Sequence, residues 1–232
     1  MRFKKHHVMF PIHIYDVDEM RESHNGELLP NSIRCIICGP SNCGKTNLLL
    51  NLLINQHGVK FKNLYIYSKS LHQHKYIYLK SIICLIPEIG YYEYLDNENV
   101  IPYHEAKDRS IFIFDDIACE KQNNVRDFFS MGRHSNVDSF YLCQSYAKIP
   151  KHLIRDNANI IVLYKQDETN LHHAFNDHVS TDMDFKQFIK LCRLCWKGKY
   201  DFLLIDKDRE LNNGRYRRGL DTFIEIESSI LV

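Results

Sequence analysis

Short apolar runs recur along the chain and are separated by longer stretches with helical spacing. The runs that predict buried strands are residues 32–38, 63–67, 110–114, 139–143, 159–164 and 201–205. The stretches that predict helices are residues 46–56, 71–86, 124–131, 168–175 and 184–195. Because apolar strands alternate with helices, the pattern predicts an α/β fold with a central, mainly parallel sheet and helices on both faces.

The remaining segments show no strong periodicity. Residues 1–31 are polar and irregular, with a short strand predicted near residues 8–15. Residues 91–107 are predicted to be rich in loops, and the strand at 201–205 is predicted to be the last. We therefore expect an N-terminal arm at 1–31, one α/β domain at 32–206 and a C-terminal tail at 207–232.

A glycine-containing turn joins the first predicted strand to the first predicted helix. Its residues, GPSNCGKT, match the phosphate-loop pattern G-x-x-x-x-G-K-[ST] in full, in the strand–turn–helix context that the pattern requires. Glycine lets backbone N–H groups approach a phosphate, and the positive end of the following helix points at it. The predicted nucleotide-binding residues are Gly39, Pro40, Ser41, Asn42, Cys43, Gly44, Lys45 and Thr46.

Individual positions of this loop have predicted roles. Lys45 is expected to reach the β- and γ-phosphates, and Thr46 to bind magnesium through its hydroxyl. Asn42 stands where a further glycine is common, and asparagine tolerates left-handed backbone geometry better than most residues. The loop therefore predicts ATP and Mg²⁺ as ligands and makes the domain at 32–206 a P-loop ATPase domain.

Two adjacent carboxylates follow the third predicted strand. Residues 110–114 run into Asp115 and Asp116, and in a P-loop fold we expect this strand to lie beside the phosphate loop. Asp115 would then hold magnesium through water, and Asp116 would polarise the attacking water. Many ATPases have glutamate at the second position, so the shorter Asp116 departs from the common pattern. A strand that leads into a solvated acidic turn is the alternative.

An arginine and a glutamine flank the fourth predicted strand. If this strand neighbours the one that ends at Asp115, Gln144 emerges at the same edge and can sense the γ-phosphate or position water. Arg133 lies before the strand and could instead reach the nucleotide of a neighbouring subunit, where it would stabilise transition-state charge. A surface ion pair is the alternative role for Arg133. The predicted catalytic residues are Lys45, Asp116, Gln144 and Arg133, and the predicted metal ligands are Thr46 and Asp115.

A set of segments in order carries a family resemblance. GPSNCGKT, IFIFDDI, MGRHSN, FYLCQSY and IPKHLIRDNANIIVLYK resemble the genome-packaging ATPases of large DNA viruses and of Polinton-type elements. Those proteins belong to the FtsK/HerA superfamily of DNA-pumping motors, with a RecA/FtsK-like P-loop NTPase fold, and the chain resembles the poxvirus-type packaging ATPase among them. The resemblance covers about residues 30–166, and neither the arm nor the C-terminal third contributes to it.

The resemblance implies a motor subunit that hydrolyses ATP to translocate double-stranded viral or transposon DNA into a capsid. It implies a homo-oligomeric ring, pentamer or hexamer, with capsid or portal proteins as partners, inside an infected host cell, in the nucleus or a cytoplasmic virus factory. An arginine placed like Arg133 would act as the finger in trans, and Gln144 would be the polar sensor. Arg155, in the segment IPKHLIRDN, is the competing finger.

Two other classes remain open at the level of sequence. The first is a different P-loop protein that does not act on DNA, such as a nucleotide kinase or a regulatory ATPase. The second is an inactive nucleotide-binding module. A kinase would need lid arginines, and no clear lid is present, while the intact Lys45, Thr46 and aspartate pair disfavour an inactive copy.

Composition limits the remaining possibilities. Thirty basic and twenty-nine acidic residues give a net charge of +1, so DNA contacts would have to come from local patches or from several subunits. Apolar residues make up 44% of the chain and charged residues 25%, which is typical of a globular protein. No signal-peptide pattern and no membrane-length apolar run is found, so we expect an intracellular, non-secreted protein with no membrane partner.

Cysteine and basic clusters each have a structural and a functional interpretation. Cys35 and Cys38 would point to opposite faces of a strand, and Cys192 and Cys195 would share an apolar helix face, so packing is favoured over zinc binding for both pairs. The thirteen histidines are scattered. The basic cluster at 215–218, with lysines just upstream, is either a solvated tail or a contact for DNA or capsid.

Overall fold

The computed structural model describes residues 25–96, 100–117, 123–132, 136–152 and 154–226. The strands in chain order are β1 (Arg34–Cys38), β2 (Asn63–Ser68), β3 (Gly90–Tyr94), β4 (Ser110–Asp115), β5 (Val137–Cys143), β6 (Ile160–Leu163), β7 (Leu203–Asp206), β8 (Tyr216–Arg218) and β9 (Thr222–Phe223). The helices are α1 (Lys45–Ile54), α2 (His74–Ile83), α3 (Asn123–Ser130), α4 (Glu168–His178) and α5 (Phe185–Cys195).

All of these strands join one nine-stranded sheet in the order β3-β2-β4-β5-β1-β6-β7-β8-β9. Strands β1 to β6 pair in parallel. The remaining pairs, β6-β7, β7-β8 and β8-β9, are antiparallel. The predicted α/β class with a mainly parallel sheet is therefore confirmed.

Two apolar cores lie on the two faces of this sheet, as the strand period of two requires. In β4, Phe112 and Phe114 belong to the core that includes apolar side chains of α3, α4 and α5. The alternating Ile111 and Ile113 belong to the core that includes apolar side chains of α1 and α2. Because both faces are covered by helices, the strands are nearly continuous runs of buried residues.

The order of the central strands places the Asp115 strand close to the phosphate loop with one strand between them. Strand β5 is inserted between β1 and β4 and pairs in parallel with both. The predicted neighbourhood of β5 and β4 is confirmed by the same pairing. The carboxyl ends of β1, β5 and β4 therefore meet at one edge of the sheet, with β5 in the middle.

The segment predicted to be loop-rich contains a strand. Strand β3 forms the edge of the sheet beside β2, and its tyrosines stack on those of β2. The ring centroids of Tyr65 and Tyr92 are 4.6 Å apart, and those of Tyr67 and Tyr94 are also 4.6 Å apart. The prediction failed because this strand is stabilised by cross-strand aromatic pairs, which its own sequence does not reveal.

The sheet also continues beyond the strand predicted to be the last. Strands β8 and β9 are only three and two residues long, and they lie within the segment expected to be a tail. Strands this short have too few residues to show a periodic pattern. The expected strand near residues 8–15 lies outside the described residues, and the expected domain limits stay predictions.

The basic cluster at 215–218 is built into the fold. Arg217 is fully buried, and its Nη2 atom lies 2.8 Å from Oδ2 of the buried Asp206. Arg215 pairs with Asp182, and the more exposed Arg218 pairs with Asp201 at 2.8 Å. The interpretation of this cluster as a solvated tail is therefore wrong, because ion pairs within the chain hold these guanidinium groups. Its interpretation as a contact for DNA or capsid stays a prediction.

The cysteines of the two C-x-x-C segments also pack in the cores as free thiols. Cys35 and Cys38 lie in opposite cores, one on each face of the sheet. Cys192 and Cys195 are buried side by side in the core beneath α5. No helix in the described part of the chain is long and apolar enough to cross a membrane.

Arg217→Ala should destabilise the protein strongly, because it removes the 2.8 Å partner of the buried Asp206 and leaves Arg209 at 3.9 Å as its nearest cation. Breaking a buried ion pair by removing one member costs about 3–5 kcal/mol. The matched control is Arg218→Ala, which removes the same charge from a pair with an exposed arginine and should cost less than about 1 kcal/mol. Urea denaturation measures both free energies of unfolding, and equal losses would contradict the structural role of Arg217.

Candidate active site

The phosphate loop lies between the end of β1 and the start of α1. Asn42 has a φ of 61° and Gly44 a φ of 113°, so both adopt left-handed backbone conformations. The expectation that asparagine tolerates this geometry at position 42 is met. Gly39 is needed for a different reason, since a Cβ atom there would lie 2.6 Å from Sγ of Cys43 and 2.6 Å from Cβ of Tyr164. The loop is therefore folded tightly against its surroundings.

Lys45 is the first residue of α1 and folds back over this loop. Its Nζ atom donates hydrogen bonds to the carbonyl oxygens of Gly39, at 2.7 Å, and of Pro40, at 3.1 Å. Gly44 at the N-cap position provides no side chain to cap the helix. The first N–H groups of α1 and the Lys45 ammonium group therefore lie at the same turn, an arrangement suited to binding an anion.

Asp115 ends β4 as a buried carboxylate. Its Oδ2 atom accepts a hydrogen bond of 2.6 Å from the hydroxyl of Tyr76 on α2. Burial raises the pKa of the Asp115 carboxyl above its ordinary value, although the Tyr76 hydrogen bond and the charge of Lys45 act to lower it. Removal of this group from water thus makes its negative charge costly unless a cation is close.

Asp116 differs from its neighbour in both exposure and conformation. It is exposed, and its φ of 59° places it in the left-handed region, which short polar side chains such as aspartate tolerate. The backbone therefore turns directly after β4, and two adjacent carboxylates have different environments. One is buried and held by Tyr76, and the other faces solvent at the mouth of the cleft.

One cleft contains most of the predicted site residues. Its volume is about 150 Å³. Its lining is Ser41, Asn42, Gly44, Lys45, Thr46, Ser70, Gln73, Lys75, Asp115, Asp116, Leu142, Cys143 and Gln144. Lys45, the aspartate pair and Gln144, which are far apart in sequence, therefore line one common space. Gln144 comes from the strand between the other two, directly after Cys143.

Sequence reasoning missed one wall of this cleft. Ser70, Gln73 and Lys75 come from the connection between β2 and α2 and from the first turn of α2. Strand β2 pairs with β4 so that Ser68 lies opposite Asp115, which brings the following segment to the same edge. Nothing in the motif spacing indicates these residues, and only the order of the strands could have revealed them.

Of the two candidate arginine fingers, Arg133 and Arg155, the structure describes Arg155. Arg133 lies outside the described residues and stays a prediction. Arg155 is buried, its Nη1 atom lies 2.8 Å from Oδ2 of Asp177, and its guanidinium group is 5.2 Å from the ring centroid of Tyr146. Arg155 is therefore engaged within its own chain, and the structure disfavours it as a finger for a neighbouring subunit.

The oxygen groups of the cleft suit a magnesium ion. Mg²⁺ prefers hard oxygen ligands and is usually bound by one or two carboxylates together with substrate phosphates. The Thr46 hydroxyl and the Asp115 carboxylate are such groups, and both line the cleft. The raised pKa of Asp115 supports this fit, because a nearby divalent cation would stabilise the ionised carboxylate.

The fold and the phosphate loop together define a P-loop NTPase. Residues 20–223 match the poxvirus A32 protein family, so the chain belongs to that family. No curated protein matched the chain in a separate comparison.

Solved structures share the fold at low sequence identity. The genome packaging NTPase B204 of Sulfolobus turreted icosahedral virus 2, in complex with sulfate, aligns with a TM-score of 0.58 and 12% identity over 85% of this chain and 100% of that chain. B204, the DNA-packaging ATPase of Sulfolobus turreted icosahedral virus, aligns with a TM-score of 0.56 and 16% identity over 85% and 99%. At these identities the alignments show a common fold.

Asp115→Asn should stabilise the nucleotide-free protein while reducing turnover by about a hundredfold or more, because Asp115 is expected to hold, through water, a magnesium ion whose charge stabilisation would be worth several kcal/mol. Burial makes the pKa of the Asp115 carboxyl higher in the folded protein than in the unfolded protein. Below the unfolded pKa of about 3.9 the carboxyl is protonated in both states, and the folded protein keeps its full stability. As the pH rises through the folded pKa, the buried carboxyl ionises and the free energy of unfolding falls. The asparagine does not ionise, and its oxygen can still accept the Tyr76 hydrogen bond.

The stability advantage of Asp115→Asn over the wild type should therefore grow from about pH 4 towards neutral pH. Urea denaturation of both proteins across this range measures the advantage. The exposed neighbour serves as control, because Asp116→Asn should give no comparable pH-dependent gain. An advantage that does not change with pH would contradict the buried, destabilised carboxylate.

Proposed function

We propose that the chain is an ATP-hydrolysing subunit of a viral genome-packaging motor, which translocates double-stranded DNA into a capsid. The observation that carries the proposal is the common cleft of Lys45, Thr46, Asp115 and Gln144 in a member of the poxvirus A32 protein family. The B204 proteins with the same fold are described as genome-packaging NTPases, and their structures include complexes with AMP and ATP-gammaS.

The proposed chemistry is in-line attack of water on the γ-phosphate. The Lys45 ammonium group, now bonded to the carbonyls of its own loop, would exchange these partners for phosphate oxygens. The free N–H groups at the start of α1 would hold the β-phosphate. This part of the site therefore binds the triphosphate and offsets its negative charge.

Magnesium would be held by the Thr46 hydroxyl and, through water, by the buried Asp115. When bound, the ion supplies Lewis-acid stabilisation of charge on the β- and γ-phosphates. Tyr76 would keep the Asp115 carboxylate in a fixed orientation through its 2.6 Å hydrogen bond. The buried carboxylate would thus serve the metal, which leaves water activation to the exposed part of the cleft.

Asp116 and Gln144 would orient the attacking water. Both are exposed and line the cleft at the ends of adjacent strands. A carboxylate can accept a proton from water, and an amide can both donate and accept hydrogen bonds. Gln144 would in addition report whether the γ-phosphate is present, since it lies directly between the phosphate loop and the aspartate pair in the strand order.

A trans-acting Arg133 would require a ring of subunits. The net charge of +1 gives a single chain no strong overall attraction for DNA. Several subunits would therefore have to bind the duplex together, each through a few contacts. We propose a homo-oligomeric ring, pentamer or hexamer, that docks on capsid or portal proteins. It would work where the genome is packaged, in the nucleus or in a cytoplasmic virus factory of the infected cell.

ATP hydrolysis by the purified protein should be stimulated by double-stranded DNA. Lys45→Ala should abolish turnover in both conditions while leaving the protein folded, because the lysine is half-buried and lies outside both apolar cores. A phosphate-release assay with and without DNA tests this. A hydrolysis rate that does not change when DNA is added would favour a P-loop enzyme with a different role. The absence of hydrolysis by the wild type would favour an inactive nucleotide-binding module.

Mixing two inactive variants should restore part of the ATPase activity. Arg133→Ala subunits keep an intact nucleotide site but provide no arginine finger to a neighbouring subunit. Lys45→Ala subunits provide the arginine finger but cannot hydrolyse ATP. In mixed rings some intact sites therefore meet an intact finger. Activity is measured across mixing ratios, with mixed assembly verified by mass, and no rescue at any ratio would contradict a trans role for Arg133.

A further inference from the structure

A second groove begins at the phosphate loop and leads away from the aspartate pair. It has a volume of about 510 Å³ and lies between α1, the end of β6 and the C-terminal strands. Gly44 lines both this groove and the phosphate cleft, and Asn47, next to Thr46, lines the groove. The two spaces therefore meet at the N-terminus of α1, where the phosphates would be held.

Tyr200 stands at this junction. A Cβ atom at Gly44 would lie 3.3 Å from Cδ1 of Tyr200 and 3.4 Å from the hydroxyl oxygen of Tyr164, so both rings are in van der Waals range of the loop. Tyr164 is buried and packs on Phe202 with ring centroids 5.3 Å apart. Tyr200 is different, because 55% of it is exposed although it lies beside the loop.

The segment that carries Tyr200 is fixed in place. Asp201 accepts a hydrogen bond of 2.9 Å from the backbone N–H of Gly198 and pairs with Arg218 of β8 at 2.8 Å. The ammonium group of Lys199 lies 5.2 Å from the centroid of the Tyr200 ring. The antiparallel end of the sheet thus holds an exposed aromatic ring and a positive charge next to the phosphate loop.

The direction of a bound nucleotide follows from the charged residues. The groups suited to metal and water, Asp115, Asp116 and Gln144, lie on the cleft side of the loop, so the γ-phosphate belongs there. In this orientation the nucleoside would leave the loop at its other end, past Thr46. That end opens into the groove lined by Asn47 and Tyr200.

We propose that the junction of Gly44, Asn47 and Tyr200 is the nucleobase subsite, where the aromatic base of the triphosphate stacks on the Tyr200 ring. The Asn47 side chain, which is exposed in the groove, offers both a donor and an acceptor to the base or the ribose. The inference rests on the proposed nucleotide-binding function and assigns a role to the C-terminal third of the chain. Bases stack on aromatic side chains because every base has a π-face.

Calorimetric binding of two ligands in the absence of Mg²⁺, so that ATP is not hydrolysed, separates base from phosphate recognition. ATP carries base, ribose and phosphates, whereas inorganic tripolyphosphate carries phosphates alone. Tyr200→Ala should weaken ATP binding by about tenfold or more, the range expected for loss of one stacked base, and change tripolyphosphate binding by less than about twofold. Tyr200→Phe keeps the ring and should recover most of the ATP affinity.

Two further variants serve as references. Tyr78→Ala removes a tyrosine of similar exposure, 57%, from α2 outside both grooves, and should leave both affinities unchanged. Lys45→Ala should weaken both ligands. Equal weakening of ATP and tripolyphosphate by Tyr200→Ala, or no weakening of either, would overturn the subsite while the proposed function stands. A wild-type protein that binds neither ligand would overturn the proposed function itself.

Discussion

The parallel register between neighbouring strands is the constraint on which the candidate site depends. Cys38 of β1 lies opposite Cys143 of β5, and Asp115 of β4 lies opposite Leu142. These strands therefore end at nearly the same level, and the residues that follow them emerge side by side. A shift of one residue in any pair would turn the following side chain to the other face of the sheet. The catalytic geometry is thus a consequence of how the core packs.

The buried Asp115 has a cost in stability that its proposed role at the metal would explain. Its carboxylate is buried, which raises its pKa, and the Tyr76 hydroxyl donates a hydrogen bond of 2.6 Å to it. A folded protein without a catalytic task would gain from a neutral side chain here. A metal ion would reverse this balance, because a divalent charge favours the ionised carboxylate. The unfavourable burial is therefore an argument for a cation at this position.

Local patterns made the phosphate loop and the central strands predictable, because Gly39, Gly44 and Lys45 act within one turn and each strand is a continuous apolar run. Features that depend on pairing between distant segments could not be predicted. Strand β3 exists through stacking on β2, and Arg217 is buried because Asp206 lies on the adjacent strand. Lys75 lines the cleft because β2 is adjacent to β4 in the sheet. Tyr200 lies in van der Waals range of the phosphate loop, but it belongs to the C-terminal third, which the family resemblance does not cover.

The charges of the cleft bear on why another subunit would be needed. Among its described residues, Lys45 and Lys75 provide positive charge, and Asp115 and Asp116 provide an equal negative charge. A magnesium-bound triphosphate would therefore make the cleft net negative, and charge develops further on the γ-phosphate during transfer. Arg155 cannot offset it, because Asp177 holds its guanidinium group at 2.8 Å. The charge balance thus favours a cation from a neighbouring subunit, which is the role that the resemblance implies for Arg133.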